Sequence, residues 1–294
     1  MAIKVAYWSI RGLGAPLRMM CEHAGVEYDA VLYDCQAKDG AFDTSSWFTV
    51  KPGVQAQNPL ANLPYVEVDG VVVTQSSACM TFLGAKLGLL GANDAEKVEC
   101  EQLLCEVMDF RNACCSVFYG GDLGGLSALA KNASLRKLNA WLAHKGTSFL
   151  VGQTPTAPDF HLWELLDELK FLAGANGGFF VRCVGLHEWL VTRLKGCLRP
   201  HRSIVSLRLI FAAPIFLPSG AASWEAEGYG PLATFYGAFG ALPFMASYQA
   251  SSLGALPCNN KMASFGATPE GGVWDHAKPQ VGGGATNKWQ NRKI

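Results

Sequence analysis

Residues 3–18 constrain this chain more than any other stretch. A short apolar run, Ile3–Trp8, ends in Ser9-Ile10-Arg11-Gly12-Leu13-Gly14, and Pro16 follows at once. Proline suits the first turn of a helix, where its missing N–H is no loss. The unit therefore reads strand, loop, helix, with Tyr7 at the strand's end, where a phenol can reach into a cleft. A second signal lies downstream: Asn62-Leu63-Pro64-Tyr65, a strand to Val68, the turn Asp69-Gly70, a strand to Thr74, then Gln75-Ser76-Ser77.

The first 90 residues alternate strand and helix signals: strand 3–8, helix 15–24 ending at Gly25, strand 28–34, a polar loop 36–62, two strands within 64–74, and helix 76–88. Two strand–helix units, a hairpin and a last helix form the thioredoxin-like order. A natural linker follows at 91–94, with Asp94 expected to cap the next helix. From there the pattern is helical. Val98, Leu104, Val107 and Met108 recur at helical spacing, as do Leu135, Leu138, Trp141 and Leu142. Thr156-Ala-Pro-Asp159 reads as a capping box with Asp in the Glu position. Residues 186–194 give a further amphipathic helix. Residues 197–243 break the pattern, with five prolines, five glycines, seven aromatics and only five charged residues, and read as an irregular insertion. The expected division is 1–90, 91–266 with the insertion 197–243, and a disordered tail 267–294.

Charge and cysteine usage bound the function. Lys+Arg and Asp+Glu are both 24, and charged residues make up 16% of the chain against a typical ~25%, so nothing draws it to nucleic acid. The longest apolar stretch, 203–218, holds Arg208 and Pro214 and is too short to span a bilayer. Ten cysteines show neither a C-x-x-C pair nor metal-ligand spacing, and no signal peptide precedes them. This is the pattern of reduced thiols in cytosol. Cys114-Cys115 is either a redox pair or two small buried side chains. Asn132-Ala-Ser134 matches a glycosylation sequon without a secretion signal.

Tyr7-Trp8 with Ser9-Ile10-Arg11-Gly12-Leu13 behind it, Asn62-Leu63-Pro64-Tyr65 and Gln75-Ser76-Ser77 resemble the glutathione transferases, and the mu class above all. The likeness is good over 4–119 and moderate over 126–196. It implies the glutathione transferase fold: an α/β thioredoxin-like N-terminal domain followed by an all-α C-terminal domain. It implies conjugation of reduced glutathione, as co-substrate and without a resident cofactor or metal, to hydrophobic electrophiles by a cytoplasmic homodimer acting in detoxification. The thiol of glutathione has a pKa near ~8.5 and reacts as thiolate, so a depression of two units asks for about 2.7 kcal/mol.

The resemblance assigns the roles residue by residue. Tyr7 is the catalytic hydrogen-bond donor to sulfur. Trp8 and Leu13 belong to the glutathione site, and Asn62 and Leu63 hold the cysteinyl backbone beside a cis Leu63–Pro64 bond. Gln75 and Ser76 take the γ-glutamyl carboxylate at a helix start. Trp47 and Lys51 hold the glycyl carboxylate, and Asp109 reaches the ammonium from the neighbouring subunit. Met108, Arg111 and Tyr119 form the electrophile site. Two departures stand out. Thr44 replaces the arginine three residues before Trp47, and Leu60 stands in for the aromatic plug of the mu dimer, in a loop about two residues longer. A non-catalytic binding protein of the same fold, or a defective product carrying an unselected insertion, are the competing readings.

Overall fold

The computed structural model describes residues 1–38, 41–121, 123–175 and 228–272. Its first part is a four-stranded mixed sheet in the order β2-β1-β5-β6. β1 (Ile3–Trp8) runs parallel to β2 (Asp29–Tyr33) and antiparallel to β5 (Tyr65–Val68), which pairs with β6 (Val71–Thr74). The parallel pair requires a crossover, supplied by α1 (Gly14–Ala24). Gly25 ends that helix in the left-handed conformation, φ 63°. Asp69 and Gly70 both have positive φ, as a two-residue hairpin turn needs. α4 (Ser76–Leu87) closes the unit.

The expected polar loop 36–62 is more structured than its composition announces. It holds a small hairpin, β3 (Gln36–Lys38) with β4 (Ala41–Asp43), and two short helices, α2 (Ser45–Phe48) and α3 (Lys51–Gln55). Trp47 anchors these under the sheet in a second core with Ala6, Tyr33, Val54, Ala61 and Tyr65. Burial of these few side chains orders a segment whose local pattern is polar.

The helical part begins with α5 (Asp94–Gly120). Asn93, not Asp94, is its cap: the Asn93 side chain accepts the Glu96 N–H at 3.0 Å, and Glu96 reaches back to the Ala92 N–H. Either residue type can cap, and the chain's extended geometry at Asn93 decides it. α6 (Leu123–Ala128) and α7 (Ala133–Lys145) follow. Asn132 of the sequon caps α7 by accepting the Ser134 N–H. Leu135, Leu138 and Leu142 are buried as expected, whereas Val98 is 68% exposed and lies off the core face of α5.

The central helix is α8 (Ala157–Ala175). Its entry is the expected capping box, in which the buried Asp159 carboxylate accepts the Thr156 N–H, the Thr156 hydroxyl and the Leu150 N–H, all within 2.8 Å. α8 packs on α1, α4 and α5, which joins the two parts through one continuous core.

The end of the expected insertion is part of that core. Residues 230–240 form α9 (Gly230–Gly240), packed on α7 and α8, with Leu232, Phe235 and Phe239 buried. The Phe239 ring lies 5.1 Å from Phe160 and 5.5 Å from Trp163. Residues 230–240 are therefore helical core, and the expectation of an irregular insertion extending to 243 is corrected. The helix escapes a periodicity reading because its exposed positions, Thr234, Gly237 and Gly240, carry no charge to set off the buried face. The 186–194 helix and the apolar stretch 203–218 lie outside the described residues. α10 (Met245–Gln249) leads into a turn-rich segment, in which Asn259, Phe265 and Ala267 are buried, and which the structure follows to Gly272. The rest of the expected tail lies outside the described residues.

Candidate functional site

The site is built at the end of β1. Tyr7 is nine-tenths buried beneath the loop that connects β1 to α1. Two glycines make that close approach possible. Gly12 has φ +40°, and a Cβ there would stand 2.8 Å from the Tyr7 ring; one at Gly14 would stand 2.8 Å from the Tyr7 Cβ. The Leu13 backbone hydrogen-bonds the Tyr7 hydroxyl. Burial pushes the phenol pKa up to about 12, against the opposing pull of the Arg111 charge. At neutral pH Tyr7 is therefore a proton-bearing phenol, fit to donate a hydrogen bond and unfit to serve as a base.

The register of the sheet brings the second group alongside. Ala6 pairs with Tyr65, so Leu63 and Pro64 lie where β1 reaches Tyr7 and Trp8. The Leu63–Pro64 bond is cis, as the resemblance implies. Thr74 at the end of β6 holds this turn: its hydroxyl oxygen accepts the Asn62 N–H at 3.2 Å and donates to the Asn62 carbonyl at 3.0 Å. The backbone N–H and C=O of Leu63 find no partner among the described residues and present an open strand edge. Thr74 also leads into α4. Gln75 there has φ 73°, a conformation that costs a non-glycine residue about 1–3 kcal/mol and that persists only where the surroundings impose it. No side chain caps the α4 N-terminus, and Ser76 lies buried at its first position. Its first-turn N–H groups are thus available to an anion.

α5 supplies the facing wall. Met108, Arg111 and Tyr119 recur at helical spacing on one stripe, and both Arg111 and Tyr119 act electrostatically on Tyr7. Arg111 is 2% exposed and paired with Glu168 of α8 at 3.0 Å. It is a charge inside the wall rather than a surface contact. Burial pushes the Glu168 carboxyl up to about 7 against the pull of Arg111. The Tyr119 hydroxyl accepts the Asn260 N–H at 3.3 Å, which leaves its own proton to donate. Asp109 is exposed and lies off this stripe, outside the cluster formed within one chain.

Trp47 is 1% exposed, with its ring 5.1 Å from Tyr33 and 6.0 Å from Tyr65, so it is chiefly core. Lys51 is half-buried with its ammonium 5.5 Å over the Phe48 ring. Thr44 stands at the N-cap of α2 without a capping hydrogen bond.

Three features of the site carry no local sequence signal. The turn-rich C-terminal segment closes on the β1–α1 loop: Pro257 and Cys258 carbonyls accept the Arg11 and Gly12 N–H groups at 2.8 and 3.2 Å. The Arg11 side chain grips Glu164 through both carboxylate oxygens, at 2.9 and 3.0 Å, and reaches Asp167 at 2.6 Å. The Glu168 partner of Arg111 comes from 57 residues away. No spacing or periodicity in the sequence hints at any of the three. Among the described residues no cluster of His, Cys, Asp and Glu could hold a metal, and no helix is long and apolar enough to cross a membrane.

The family model for the glutathione S-transferase N-terminal domain matches residues 3–84. A class-mu 26 kDa glutathione S-transferase of Fasciola hepatica is 31% identical over 174 residues, 59% of this chain and 76% of that protein. Glutathione S-transferase Mu 1 of Oryctolagus cuniculus is 29% identical over 182 residues, 61% of this chain and 82% of that protein. Among solved structures, the glutathione S-transferase of Ascaris lumbricoides aligns with a TM-score of 0.57 at 21% identity, over 85% of this chain and 97% of that one. The transferase Blo t 8 aligns with 0.62 at 19% identity, over 90% and 99%. The buried Tyr7, the cis-proline turn, the uncapped α4 and this shared sequence together place the chain in the glutathione S-transferase family.

Proposed function

We propose that this chain conjugates the thiolate of reduced glutathione to hydrophobic electrophiles. The observation that carries the reading is the convergence of three unspent donors at one end of the sheet: the Tyr7 phenol proton, the Leu63 N–H and the first-turn N–H groups of α4. They match the sulfur, the cysteinyl backbone and the γ-glutamyl carboxylate of glutathione in turn. Leu63 would extend the peptide as an added strand, while Gln75 and Ser76 would hold its carboxylate. Lys51, with the edge of Trp47, would face the glycyl carboxylate. Trp8, Leu13 and Asn62 would complete the site.

In the reaction, the Tyr7 hydroxyl donates to the sulfur and favours the anion, whose proton leaves to solvent. The thiolate attacks the electrophilic carbon. Tyr119, its oxygen already fixed by Asn260, donates to the oxygen on which charge develops when the acceptor is an enone or epoxide. Met108 provides apolar wall, and Arg111 provides the positive charge that Tyr7 and an adjacent thiolate both feel. Asp109 would serve the ammonium of glutathione bound to a partner subunit. Leu60, 73% exposed in the single chain, supports a homodimer in which it is covered. Detoxification in the cytoplasm is the matching cellular role.

Retention on immobilised glutathione, followed by turnover with a chlorinated aromatic acceptor, tests the reading. Retention with turnover supports it. Retention without turnover reduces the chain to a binder, and failure of both rejects the reading.

A further inference from the structure

The turn-rich C-terminal segment meets the site through its backbone. The Pro257 and Cys258 carbonyls accept the Arg11 and Gly12 N–H groups, and the Asn260 N–H donates to the Tyr119 hydroxyl. One run of four residues, 257–260, is thus bonded to the loop over Tyr7 on one side and to Tyr119 on the other. The contact with Tyr7 is close. A Cβ on Gly12 would stand 2.8 Å from Tyr7 Cε1 and 3.3 Å from the phenol oxygen, so a small shift of Gly12 presses on the phenol itself.

Asn259 closes this run on itself. Its side chain is 2% exposed, and its Nδ2 donates to the Phe265 carbonyl at 3.0 Å. Its own N–H donates to the Gly266 carbonyl at 2.8 Å. The two bonds shut residues 259–266 into a loop. The far side of that loop is fixed to α5, where the Ser264 and Phe265 N–H groups donate to the Phe118 carbonyl at 2.8 and 3.2 Å. The closure has no slack. Gly266 has φ +75°, and a Cβ there would stand 2.9 Å from Cys258 Cβ and 3.0 Å from both Asn259 Nδ2 and Leu172 Cδ2 of α8. The position suits a carboxamide because it supplies a neutral donor. A carboxylate of the same shape would turn a bare oxygen toward the Phe265 carbonyl.

We propose that Asn259 is a positioning residue for conjugation, seating Gly12 against Tyr7 and the Asn260 N–H against Tyr119, a reading that rests on glutathione binding beside Tyr7. Asn259 touches neither sulfur nor electrophile. It acts through the Cys258 carbonyl and the Asn260 N–H, which flank it in the chain. The donors proposed for the peptide of glutathione, Leu63 and the first turn of α4, lie on other elements. Loss of the Asn259 amide therefore spoils the alignment of the two phenols and spares the hold on glutathione.

The test is Asn259→Ala and Asn259→Asp in the full chain, assayed well below the melting temperature for turnover, glutathione affinity and absorbance of the bound thiolate. Asn259→Ala should lower kcat about tenfold and raise the titration of the bound thiol by about one pH unit, while the glutathione Kd changes less than about twofold. A purely structural role would lower the melting temperature and leave kcat and the thiol titration where they are. Asn259→Asp adds a signature, because its carboxylate lacks the donor and its neutral acid regains one. Its turnover relative to the parent chain should be about tenfold low at pH 8 and recover to within about threefold at pH 6, since burial raises a carboxyl pKa. Parent-like kcat and thiol titration in Asn259→Ala, or an Asn259→Asp ratio that does not recover toward acid, would overturn the role. Should Asn259→Ala fail to fold, the Asn259→Asp ratio decides alone. Retention of the parent chain on immobilised glutathione separates the two failures. With retention only the positioning role falls; without it the underlying reading falls, and the positioning role with it.

Discussion

Tyr7 illustrates how one residue's role is set by its surroundings. A phenol pushed up to about 12 by burial cannot act as a base near neutral pH, so the service proposed for it toward the glutathione sulfur is donation. Thr44 is the opposite case, a position where a charge found in the mu pattern is missing. Thr44→Arg should tighten glutathione binding by about 0.5–1 kcal/mol, the worth of a partly exposed ion pair with the glycyl carboxylate. Calorimetry measures this directly. An unchanged or weaker affinity would mean that the longer loop presents this carboxylate to other groups. Tyr7 and the cis Leu63–Pro64 bond were legible in the sequence through the resemblance, whereas the close approach of Gly12 and Gly14 to Tyr7 was not. Arg111 was legible as a position but not as half of a buried pair. Its partner Glu168 lies 57 residues away, and no spacing rule links them.

At the level of the element, α8 carries four buried polar side chains, Asp159, His161, Glu164 and Glu168. His161 lies wholly inside, neither ring nitrogen has a partner among the described residues, and burial lowers its pKa to about 3, with the Arg111 charge adding to the effect. Above about pH 6.5 the imidazole is neutral folded or unfolded, and its contribution is fully present. As pH falls below that, the unfolded chain takes up a proton that the folded chain refuses, so stability falls by up to about 1.4 kcal/mol per pH unit until about pH 3. Asp159 and Glu168, both with raised pKa values, act in the opposite sense over the same range. The readout is therefore a difference: His161→Leu should flatten the acid limb of a melting temperature–pH profile relative to the parent chain. Parallel profiles would show that water or a partner already satisfies the imidazole.

α9 is the element the sequence hid. Its lack of charge, read without the core it fills, looks like unselected sequence. Once Phe239 stands against Phe160 and Trp163, its apolar residues are what the position requires. Phe239→Ala should cost about 3–5 kcal/mol, and removal of 228–243 should abolish cooperative unfolding. A chain lacking that stretch which melts as the parent does would show that α9 is dispensable. The hairpin β5–β6 and the helix α1 were legible because turn chemistry and caps mark their ends locally. The order within 36–62 was not, since one buried indole creates it from a distance.

At the scale of the whole molecule, one core and one polar strut hold the two parts together. Arg11 of the β1–α1 loop grips Glu164 and Asp167, and Tyr236 of α9 donates to the same Asp167 at 2.6 Å. The loop that covers Tyr7 and the helical part are thereby fixed against each other. Asp109 and Leu60 are both exposed in the single chain, and the proposed homodimer gives each a role. A mixed dimer of one Tyr7→Phe subunit and one Asp109→Ala subunit should contain one intact site and one doubly defective site, so it should keep about half the parent turnover. Two equally weak sites would exclude the cross-subunit role of Asp109.

The central claim is that the Tyr7 hydroxyl holds glutathione as thiolate. The ultraviolet absorbance of the bound thiolate, followed against pH, measures this without any electrophile. The bound thiol should titrate about two units below its free value near ~8.5, and Tyr7→Phe should return it most of the way. Bound glutathione that titrates as it does in free solution, or that stays equally depressed in Tyr7→Phe, would contradict the claim.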